Sequence, residues 1–192
     1  MKKLRRSFYD RDTVLVAHEL LGKHLVHRVA GVERIGRIVE VEAYLGADDA
    51  ASHAYRGATP RNSVMFGPPG HLYTYFTYGM HWCCNVVTGP KGVAQAVLIR
   101  ALSPLEGLAA MRSARPGIRR DQDLTNGPAK LCYALGIDGR LNGTDLRAGP
   151  VRVLDDGVPP PAAPGVGVRV GISRAADLPL RFWVRDDPHV SR

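Results

Sequence analysis

The sequence predicts an α/β or α+β fold with mostly antiparallel strand pairing in a single domain, residues 1–192. Helix-like and strand-like segments alternate along the chain, without an internal repeat or a clear domain boundary. Residues 71–78 and 81–87 are strand-like and meet at Gly79, which is typical of a tight hairpin. Hydrophobic residues make up 45% and charged residues 23%, a balance that argues against intrinsic disorder.

The first part of the chain predicts one helix, two strands and a long loop. Asp12 can cap a helix over residues 13–21, because apolar side chains recur there at helical spacing. Residues 24–29 and 35–44 have strand character and are joined by a short turn. Residues 46–69 are rich in Ala, Gly, Asp, Pro and Asn, so we expect a long loop of the kind that often carries function.

The middle of the chain predicts a buried strand followed by a helix. Residues 93–102 form an apolar run of strand length. Ser103 can then cap a helix, with Pro104 at its first position and Glu106 closing a capping box. We expect this helix to run to about Arg112.

The last part predicts a basic loop, a second helix and three strands. The loop covers residues 115–120, and Pro128 opens a short helix that ends near Gly136. The proline-rich residues 159–164 suit a stiff surface connector. The strands are expected over residues 151–154, 166–172 and 180–184.

The charge of the chain favours a polyanionic partner. The formal net charge is +8 and the isoelectric point about 9.8, and neutralising phosphates releases condensed counterions. Charge alone does not distinguish a protein that binds nucleic acid from a basic protein without such a partner. The longest apolar runs are too short to cross a bilayer, so we expect no membrane partner. No apolar signal core follows the basic residues 1–6, so we expect a cytoplasmic protein without a secretion signal.

The cysteines indicate neither a disulfide framework nor a metal site. Cys83, Cys84 and Cys132 are odd in number and lack a CxxC pair. Adjacent cysteines rarely bridge each other, so we expect all three to be reduced and buried. Their spacing does not match zinc-ligand patterns, and we predict no metal.

Two carboxylates fall on one face of a predicted strand. Strand alternation places Glu40, Glu42 and Tyr44 together. Such a pair can be a solvated edge, or it can supply a general base beside an aromatic ring that stacks on a nucleobase. Spacing alone leaves both interpretations open.

Aromatic residues mark the predicted hairpin. His71, Tyr73 and Tyr75 share one face, and because tyrosine favours strands, core packing explains most of them. Tyr78 lies beside the glycine turn of a basic protein, where an aromatic ring can act as a wedge between base pairs.

Lys130 lies in the first turn of the second predicted helix, where its charge opposes the helix dipole. Together with backbone N–H groups its ammonium can hold a phosphate. A solvent-facing lysine without a role is equally compatible with the pattern.

Several motifs in order resemble those of the alkyladenine (3-methyladenine) DNA glycosylase family, and the match covers nearly the whole chain. Residues 100–107 and 126–131 are among the matching segments. The most specific motifs are Val41-Glu42-Ala43-Tyr44-Leu45-Gly46, Thr59-Pro60-Arg61-Asn62 and Tyr75-Phe76-Thr77-Tyr78-Gly79-Met80.

The resemblance implies a curved antiparallel sheet surrounded by helices, with a protruding hairpin inserted into the minor groove of DNA. It implies that Glu42, rather than Glu40, is the general base that activates a water for attack on C1′, and that Arg100 helps to hold this water. No lysine matches a Schiff-base role. We therefore expect a monofunctional glycosylase of base excision repair that leaves an abasic site.

The same resemblance implies a pocket for a flipped purine. Tyr44 and Tyr75 match its two stacking sides, and His53 matches the residue that closes it. Asn85 matches the residue that would clash with the exocyclic amino group of guanine. Tyr78 matches the residue that fills the hole left by the extruded base.

The partner implied is double-stranded DNA with damaged purines, contacted through its backbone by Lys130 and Arg61. The expected substrates are 3-methyladenine and 7-methylguanine, followed by hypoxanthine and ethenoadenine, and the expected enzyme is a monomer without a cofactor. The sequence departs from the family pattern at residues 81–84 and in the loop 47–57, both near the implied pocket. A DNA-damage-sensing protein without catalysis is the alternative, and RNA binding is a third interpretation.

Overall fold

The computed structural model describes residues 1–191, and its main feature is one nine-stranded sheet. The strands are β1 (Lys2–Lys3), β2 (His24–Val29), β3 (Val32–Tyr44), β4 (Leu72–Thr77), β5 (His81–Thr88), β6 (Gln95–Glu106), β7 (Val151–Asp155), β8 (Gly165–Gly167) and β9 (Arg181–Trp183). The α-helices are α1 (Arg6–Tyr9), α2 (Thr13–Leu20), α3 (Leu108–Ala114), α4 (Gln122–Thr125) and α5 (Pro128–Leu135). Short 3₁₀ turns cover Gly46–Asp48, Ser63–Phe66 and Gly139–Leu141.

The long strand β3 organises the sheet. The strand order is β1-β7-β2-β3-β6-β5-β4, and β9, which carries β8, pairs with β3 beyond the end of β2. The register of β3 against β6 shifts on both sides of Glu40, and such bulges bend a strand. The sheet curls into an antiparallel half-barrel, so the predicted α+β class with a curved antiparallel sheet is confirmed.

The core lies between the concave sheet and helices α2, α3 and α5. Leu20, Ile38, Ile99, Met111 and Leu131 belong to one cluster and are fully buried. Burying side chains of this size stabilises a fold by about 1.5–3 kcal/mol each. The core therefore holds β3 and β6, which carry the candidate acids and Arg100, against a rigid layer of helices.

Local sequence signals are confirmed at α2, α5 and the hairpin. The Oδ1 atom of Asp12 accepts a hydrogen bond of 2.8 Å from the Leu15 N–H and caps α2. Pro128 occupies the first turn of α5, and Gly136 ends it with a φ of 72°, a conformation that costs glycine little. Strands β4 and β5 pair antiparallel as predicted, up to the pair of Thr77 with His81.

The helix start predicted at Ser103 is wrong. Strand β6 continues through Glu106, with Ser103 paired to Arg37 and Pro104 paired to Gly36 of β3. A proline is tolerated there because β5 pairs with β6 only as far as Leu98, so the second side of the strand is free at this point. The helix begins at Leu108 instead, after the left-handed Gly107.

The strand predicted over residues 166–172 is also wrong for most of its length. Only Gly165–Gly167 belongs to a strand, β8. Beyond it, backbone and side chains bond to other parts of the chain: the Val170 N–H donates to Glu42, and Arg169 forms an ion pair with Asp49. Tertiary contacts therefore replace the strand ladder in this segment.

The long loop between β3 and β4 is confirmed, and it is anchored from within. Asn62 is buried, and its Nδ2 donates hydrogen bonds to the carbonyls of His53 (2.8 Å) and Gly57 (3.0 Å). The loop therefore presents His53 from a defined backbone position.

The structure also describes the cysteines, the potential metal ligands and the lengths of the helices. Cys83, Cys84 and Cys132 are buried, as predicted. Within residues 1–191, no three His, Cys, Asp or Glu side chains come together in a way that could hold a metal ion. None of the helices in that range combines the length and the apolar character that crossing a membrane needs.

Candidate active site

A cavity of about 310 Å³ opens where β4, β5, β6, the long loop and residues 170–172 meet. This volume is at the small end of the range for sites that bind small molecules. The cavity brings together six of the residues to which the family resemblance assigns a role. They are Tyr44, His53, Tyr75, Tyr78, Asn85 and Arg100.

One wall consists of aromatic rings from the hairpin and the loop. The rings of Tyr73 and Tyr75 are stacked with centroids 5.8 Å apart, and the His53 ring stands edge-on to Tyr75 at 4.5 Å. The Nδ1 atom of His53 lies 2.9 Å from the Tyr73 hydroxyl. The rings therefore support one another and present flat apolar surface to the cavity.

The titratable groups of this wall are neutral near pH 7. Burial raises the pKa of Tyr73 to about 12, and burial also raises the pKa of Cys83 to about 11. Burial of the His53 ring, with Arg61 nearby, lowers the pKa of this histidine to about 4. More than a third of His53 is exposed at the cavity mouth.

Tyr44, at the end of β3, also lines the cavity. Its hydroxyl donates a 2.9 Å hydrogen bond to Oε2 of Glu42, and burial followed by the charge of Glu42 raises the pKa of Tyr44. The guanidinium of Arg169 lies over the Tyr44 ring, 4.7 Å from its centroid. The hydroxyl therefore stays protonated and the ring stays fixed between these two neighbours.

Glu42 lies directly behind this wall. Its side chain is fully buried, and its Oε1 accepts a 2.7 Å hydrogen bond from the Val170 N–H and lies 3.1 Å from Nη1 of Arg100. Glu42 is not itself part of the cavity lining, but its partners Tyr44, Arg100 and Val170 are. A carboxylate has about four acceptor positions, so one remains for a further donor. The interpretation of these carboxylates as a solvated edge is wrong.

Glu40 is buried as deeply but has different partners. Its Oε1 accepts hydrogen bonds from Nε of Arg181 (2.6 Å) and Nε of Arg100 (3.2 Å). Ser191 adds two more donors, its N–H to Oε2 and its hydroxyl to Oε1. Of the partners of Glu40 only Arg100 lines the cavity, whereas all three partners of Glu42 do, and this distinguishes the two acids.

Asn85 and Cys83 also line the cavity, and Cys83 belongs to the segment 81–84, where the sequence departs from the family pattern. Asn85 is 5% exposed, and its Nδ2 donates to the Tyr73 carbonyl at 3.2 Å, which fixes the orientation of its amide. Trp82 points away from the cavity and packs against Phe76, with ring centroids 5.1 Å apart. The departure therefore affects the cavity through Cys83.

The hairpin tip carries the most exposed aromatic side chain among the large hydrophobic residues of the described chain. Tyr78 is 80% exposed and borders the cavity, and its φ of 51° lies in the left-handed region. The Tyr133 hydroxyl of α5 donates a 2.6 Å hydrogen bond to the Met80 carbonyl and supports the tip. The ring of Tyr78 is thus held outside the protein by a braced turn.

The two cations assigned to the DNA backbone lie at different places. The Arg61 guanidinium donates to the Phe76 carbonyl and lies 5.7 Å from the Tyr75 ring centroid, at the cavity mouth. Lys130 is exposed at the start of α5 and donates to Asn126, beside the basic loop with Arg119. Their roles in binding DNA remain predictions.

Four residues of the site have no signal in the sequence. They are Asp49, Val170, Arg181 and Ser191, and each contacts a predicted site residue or its partner. All of them are distant along the chain from the residues they contact, apart from the local turn that Asp49 stabilises. A pattern of local periodicity cannot reveal such contacts.

Comparison with known proteins identifies the family. A family model described as "Methylpurine-DNA glycosylase (MPG)" matches residues 7–188. A protein of Burkholderia lata is 55% identical over 190 residues, which cover 98% of this chain and 90% of the relative. A protein of Methanoculleus marisnigri is 55% identical over 192 residues, which cover 98% of both chains. Both carry the name "Putative 3-methyladenine DNA glycosylase".

The family match extends over the strands, the loop and the hairpin that form the cavity. It agrees with the resemblance carried by the motifs of residues 41–46, 59–62 and 75–80. The chain belongs to the methylpurine-DNA glycosylase family and is a DNA glycosylase, a hydrolase that acts on N-glycosyl bonds.

Proposed function

We propose that this enzyme removes alkylated purines from duplex DNA by flipping the damaged nucleotide into the cavity and hydrolysing its glycosidic bond with a water activated by Glu42. The observation that carries the proposal is the contact of Arg100 with Glu42, 3.1 Å apart, at the wall of an aromatic cavity. Near pH 7 a neutral His53 adds no positive charge that would repel a cationic base, and the charge of Arg100 on the lining is paired with Glu40 and Glu42.

Stacking supplies the affinity for the base. Tyr44 and Tyr75 both line the cavity, and a stacked base gains roughly 1–3 kcal/mol from an aromatic neighbour. Cation–π attraction further favours purines that alkylation has made cationic. This favours 3-methyladenine and 7-methylguanine, and the first of these occurs in the names of the relatives. The proposed role of Asn85 is to clash with the exocyclic amino group of guanine, and its amide is fixed at the cavity by the hydrogen bond to the Tyr73 carbonyl. Because 7-methylguanine keeps that amino group, 3-methyladenine is the better substrate of the two.

The chemical step is a displacement at C1′. The water oxygen bonds to C1′, the bond from C1′ to the purine nitrogen breaks, and the purine leaves with the electron pair. The water proton passes to Glu42, and the same carboxylate stabilises the oxocarbenium-like transition state. Arg100 and the remaining acceptor position of Glu42 hold the water at the wall. Among the described residues, the lining contains no lysine for a Schiff base, which fits hydrolysis that ends at an abasic site.

Neutral lesions are the slower substrates. Hypoxanthine and ethenoadenine need a proton on the leaving base, whereas the cationic purines do not. The low pKa of His53 and the high pKa of Cys83 make both of these cavity groups poor acids near pH 7.

The duplex is engaged from the side that carries the hairpin. Tyr78 enters the stack and fills the hole left by the extruded base, while Lys130 and Arg61 contact phosphates. The enzyme acts as a monomer, in the cytoplasm, on nucleoid DNA.

The test is a Glu42→Gln variant assayed with excess enzyme on alkylated duplex DNA, with released bases identified by mass spectrometry. Gln preserves the shape of Glu42 but cannot take the proton, so we expect base release to fall at least about 100-fold. Binding of the damaged duplex should be retained. Glu33→Gln, near the far end of the same strand, is the matched control and should release bases like the unaltered enzyme.

Two outcomes would contradict this assignment. If Glu42→Gln releases bases as fast as the unaltered enzyme, Glu42 is not the base. If the unaltered enzyme binds damaged duplex but releases no alkylated purine, the proposed substrate class is wrong.

A further inference from the structure

We propose that Glu40 and Ser191 are positioning residues, which orient the Arg100 guanidinium toward Glu42 and so make the segment after β9 part of the active-site support. This inference rests on the proposed function, because it concerns the group that holds the attacking water. It assigns a task to a buried acid that the glycosidic step itself does not use.

The first observation is that Arg100 donates hydrogen bonds on the side of its guanidinium that faces away from Glu42. Its Nε donates to Oε1 of Glu40 at 3.2 Å, and its Nη2 donates to the Ser191 hydroxyl at 3.2 Å. With these two atoms held, the plane of the guanidinium is set. Nη1 is left 3.1 Å from Oε1 of Glu42, and Arg100 reaches the cavity wall.

The second observation is that Glu40 and Ser191 form one unit. The Ser191 hydroxyl donates to Oε1 of Glu40 at 2.9 Å, and its backbone N–H donates to Oε2 at 2.6 Å. The hydroxyl therefore accepts from Arg100 and donates to Glu40 at the same time. Serine can do both because its hydroxyl has one hydrogen and two lone pairs.

Arg181 holds this unit from the other side. Its Nε donates to Glu40 at 2.6 Å, and its Nη2 donates to the Ser191 carbonyl at 3.2 Å. Two arginines thereby balance the negative charges of Glu40 and Glu42, whose carboxylates are fully buried. Buried charges persist when they are paired and hydrogen-bonded, so the arrangement has little freedom to change.

The geometry explains why Arg100 needs this support. An arginine between two carboxylates two positions apart on one strand could turn either edge toward either acid. The Ser191 hydroxyl favours one orientation, because it accepts a hydrogen bond from Nη2 on the side of Glu40. Neither Glu40 nor Ser191 lines the cavity, so both act through Arg100 rather than on the substrate.

The experiment is a double-mutant cycle between Ser191→Ala and Arg100→Gln, measured as base release from alkylated duplex with excess enzyme. We expect Ser191→Ala alone to slow release about 10-fold and to leave the dissociation constant for damaged duplex unchanged, since misplaced catalytic groups affect the chemical step. In the Arg100→Gln background the same change should have no further effect, because there is no guanidinium to position. Ser191→Thr keeps the hydroxyl and should recover most of the rate.

Ser113→Ala in α3 is the matched control, because this serine is exposed and distant in sequence from the cluster. It should release bases like the unaltered enzyme. A Ser191→Ala enzyme as fast as the unaltered one would overturn the inference, and so would an equal loss of rate with and without Arg100. If the unaltered enzyme itself releases no alkylated purine, it is the proposed function that fails.

A second variant keeps the inference testable if Ser191→Ala does not fold. Glu40→Gln preserves the side-chain shape and removes the charge that holds Nε of Arg100. In the same cycle it should slow base release at least about 10-fold with Arg100 present and leave the Arg100→Gln enzyme unchanged. Additive losses would count against the inference.

Discussion

Glu40 and Glu42 have the same side chain, lie on the same strand and are equally buried, yet their surroundings give them different capacities. Glu40 accepts from two arginines and from both donors of Ser191, whereas Glu42 meets a tyrosine hydroxyl, a backbone N–H and one arginine nitrogen. All three partners of Glu42 line the cavity, whereas of the partners of Glu40 only Arg100 does. At the scale of single residues, the contacts of each carboxylate rather than its residue type therefore distinguish the proposed general base, Glu42, from the proposed positioning residue, Glu40.

Tyr78 is the second residue whose role follows from its surroundings. It borders the cavity but is almost entirely exposed, so its ring contributes little to the stability of the fold. We predict that Tyr78→Ala weakens binding of damaged duplex about 10-fold or more, since a stacking contact of roughly 1–3 kcal/mol is lost. The free energy of unfolding should change by less than about 0.5 kcal/mol.

Binding titrations at one fixed salt concentration, together with urea unfolding, check this prediction. Met80→Ala is the control, because Met80 is 60% exposed at the same tip but has no aromatic ring. An equal loss of affinity for both variants would mean that the tip acts by bulk alone.

At the scale of elements, the cavity depends on two segments that belong to no strand ladder. The loop that carries His53 and the segment that carries Val170 are joined by Asp49 and Arg169, whose side chains are both fully buried. Asp49 also accepts hydrogen bonds from the N–H groups of Leu45 and Ala51, so it shapes its own turn. The pair therefore sets the distance between two walls of the cavity.

We predict that Asp49→Asn lowers the free energy of unfolding by about 3–5 kcal/mol, because it leaves the Arg169 charge buried without its partner. Base release by the folded fraction should also slow, since Arg169 supports the Tyr44 ring. Urea unfolding measures the loss of stability. Titration of the active enzyme separates the slower base release from the loss of folded protein. Arg112→Gln breaks an exposed ion pair with Asp121 and should change stability far less. Equal losses of stability in both variants would contradict the importance assigned to burial.

At the scale of the whole molecule, two buried histidines make stability depend on pH. His27 is 6% exposed, and its Nδ1 lies 2.8 Å from the Leu135 carbonyl that ends α5. Burial lowers the pKa of His27, and it also lowers the pKa of His24. Each ring is therefore neutral in the folded protein at pH values where the unfolded chain already binds a proton.

We predict that the free energy of unfolding falls as the pH drops from about 7.5 to about 5.5. Below the ordinary histidine pKa of about 6.5 the unfolded chain binds more protons than the folded one, so stability rises with pH in this window. The buried carboxylates with lowered pKa, such as Asp49, lose their contribution only at lower pH. Urea unfolding at both pH values measures the slope.

His27→Gln should make this pH dependence shallower, because Gln can donate to the Leu135 carbonyl but does not titrate in this range. An unchanged slope in the variant would show that His27 carries none of the effect. His18→Gln is the control, since His18 is a half-buried histidine of α2 rather than of the sheet.

The sequence by itself determined the features that depend on neighbours along the chain. These include the Asp12 cap, the end of α5 at Gly136 and the hairpin, because a cap, a helix end or a two-strand turn involves only residues within a few positions. The family motifs also named the residues that the cavity brings together, although periodicity alone could not choose between Glu40 and Glu42.

Only the tertiary structure decided which segments distant in sequence contact one another. The local sequence around Pro104 predicts a helix start, but Pro104 lies in β6 because β3 is long enough to pair with it. Val170 and Ser191 meet Glu42 and Glu40 across more than 120 positions of sequence, and no local pattern encodes such contacts. The burial of the two acids follows from the way the sheet curls around them, since solvent access and hydrogen-bond partners are properties of the packed chain.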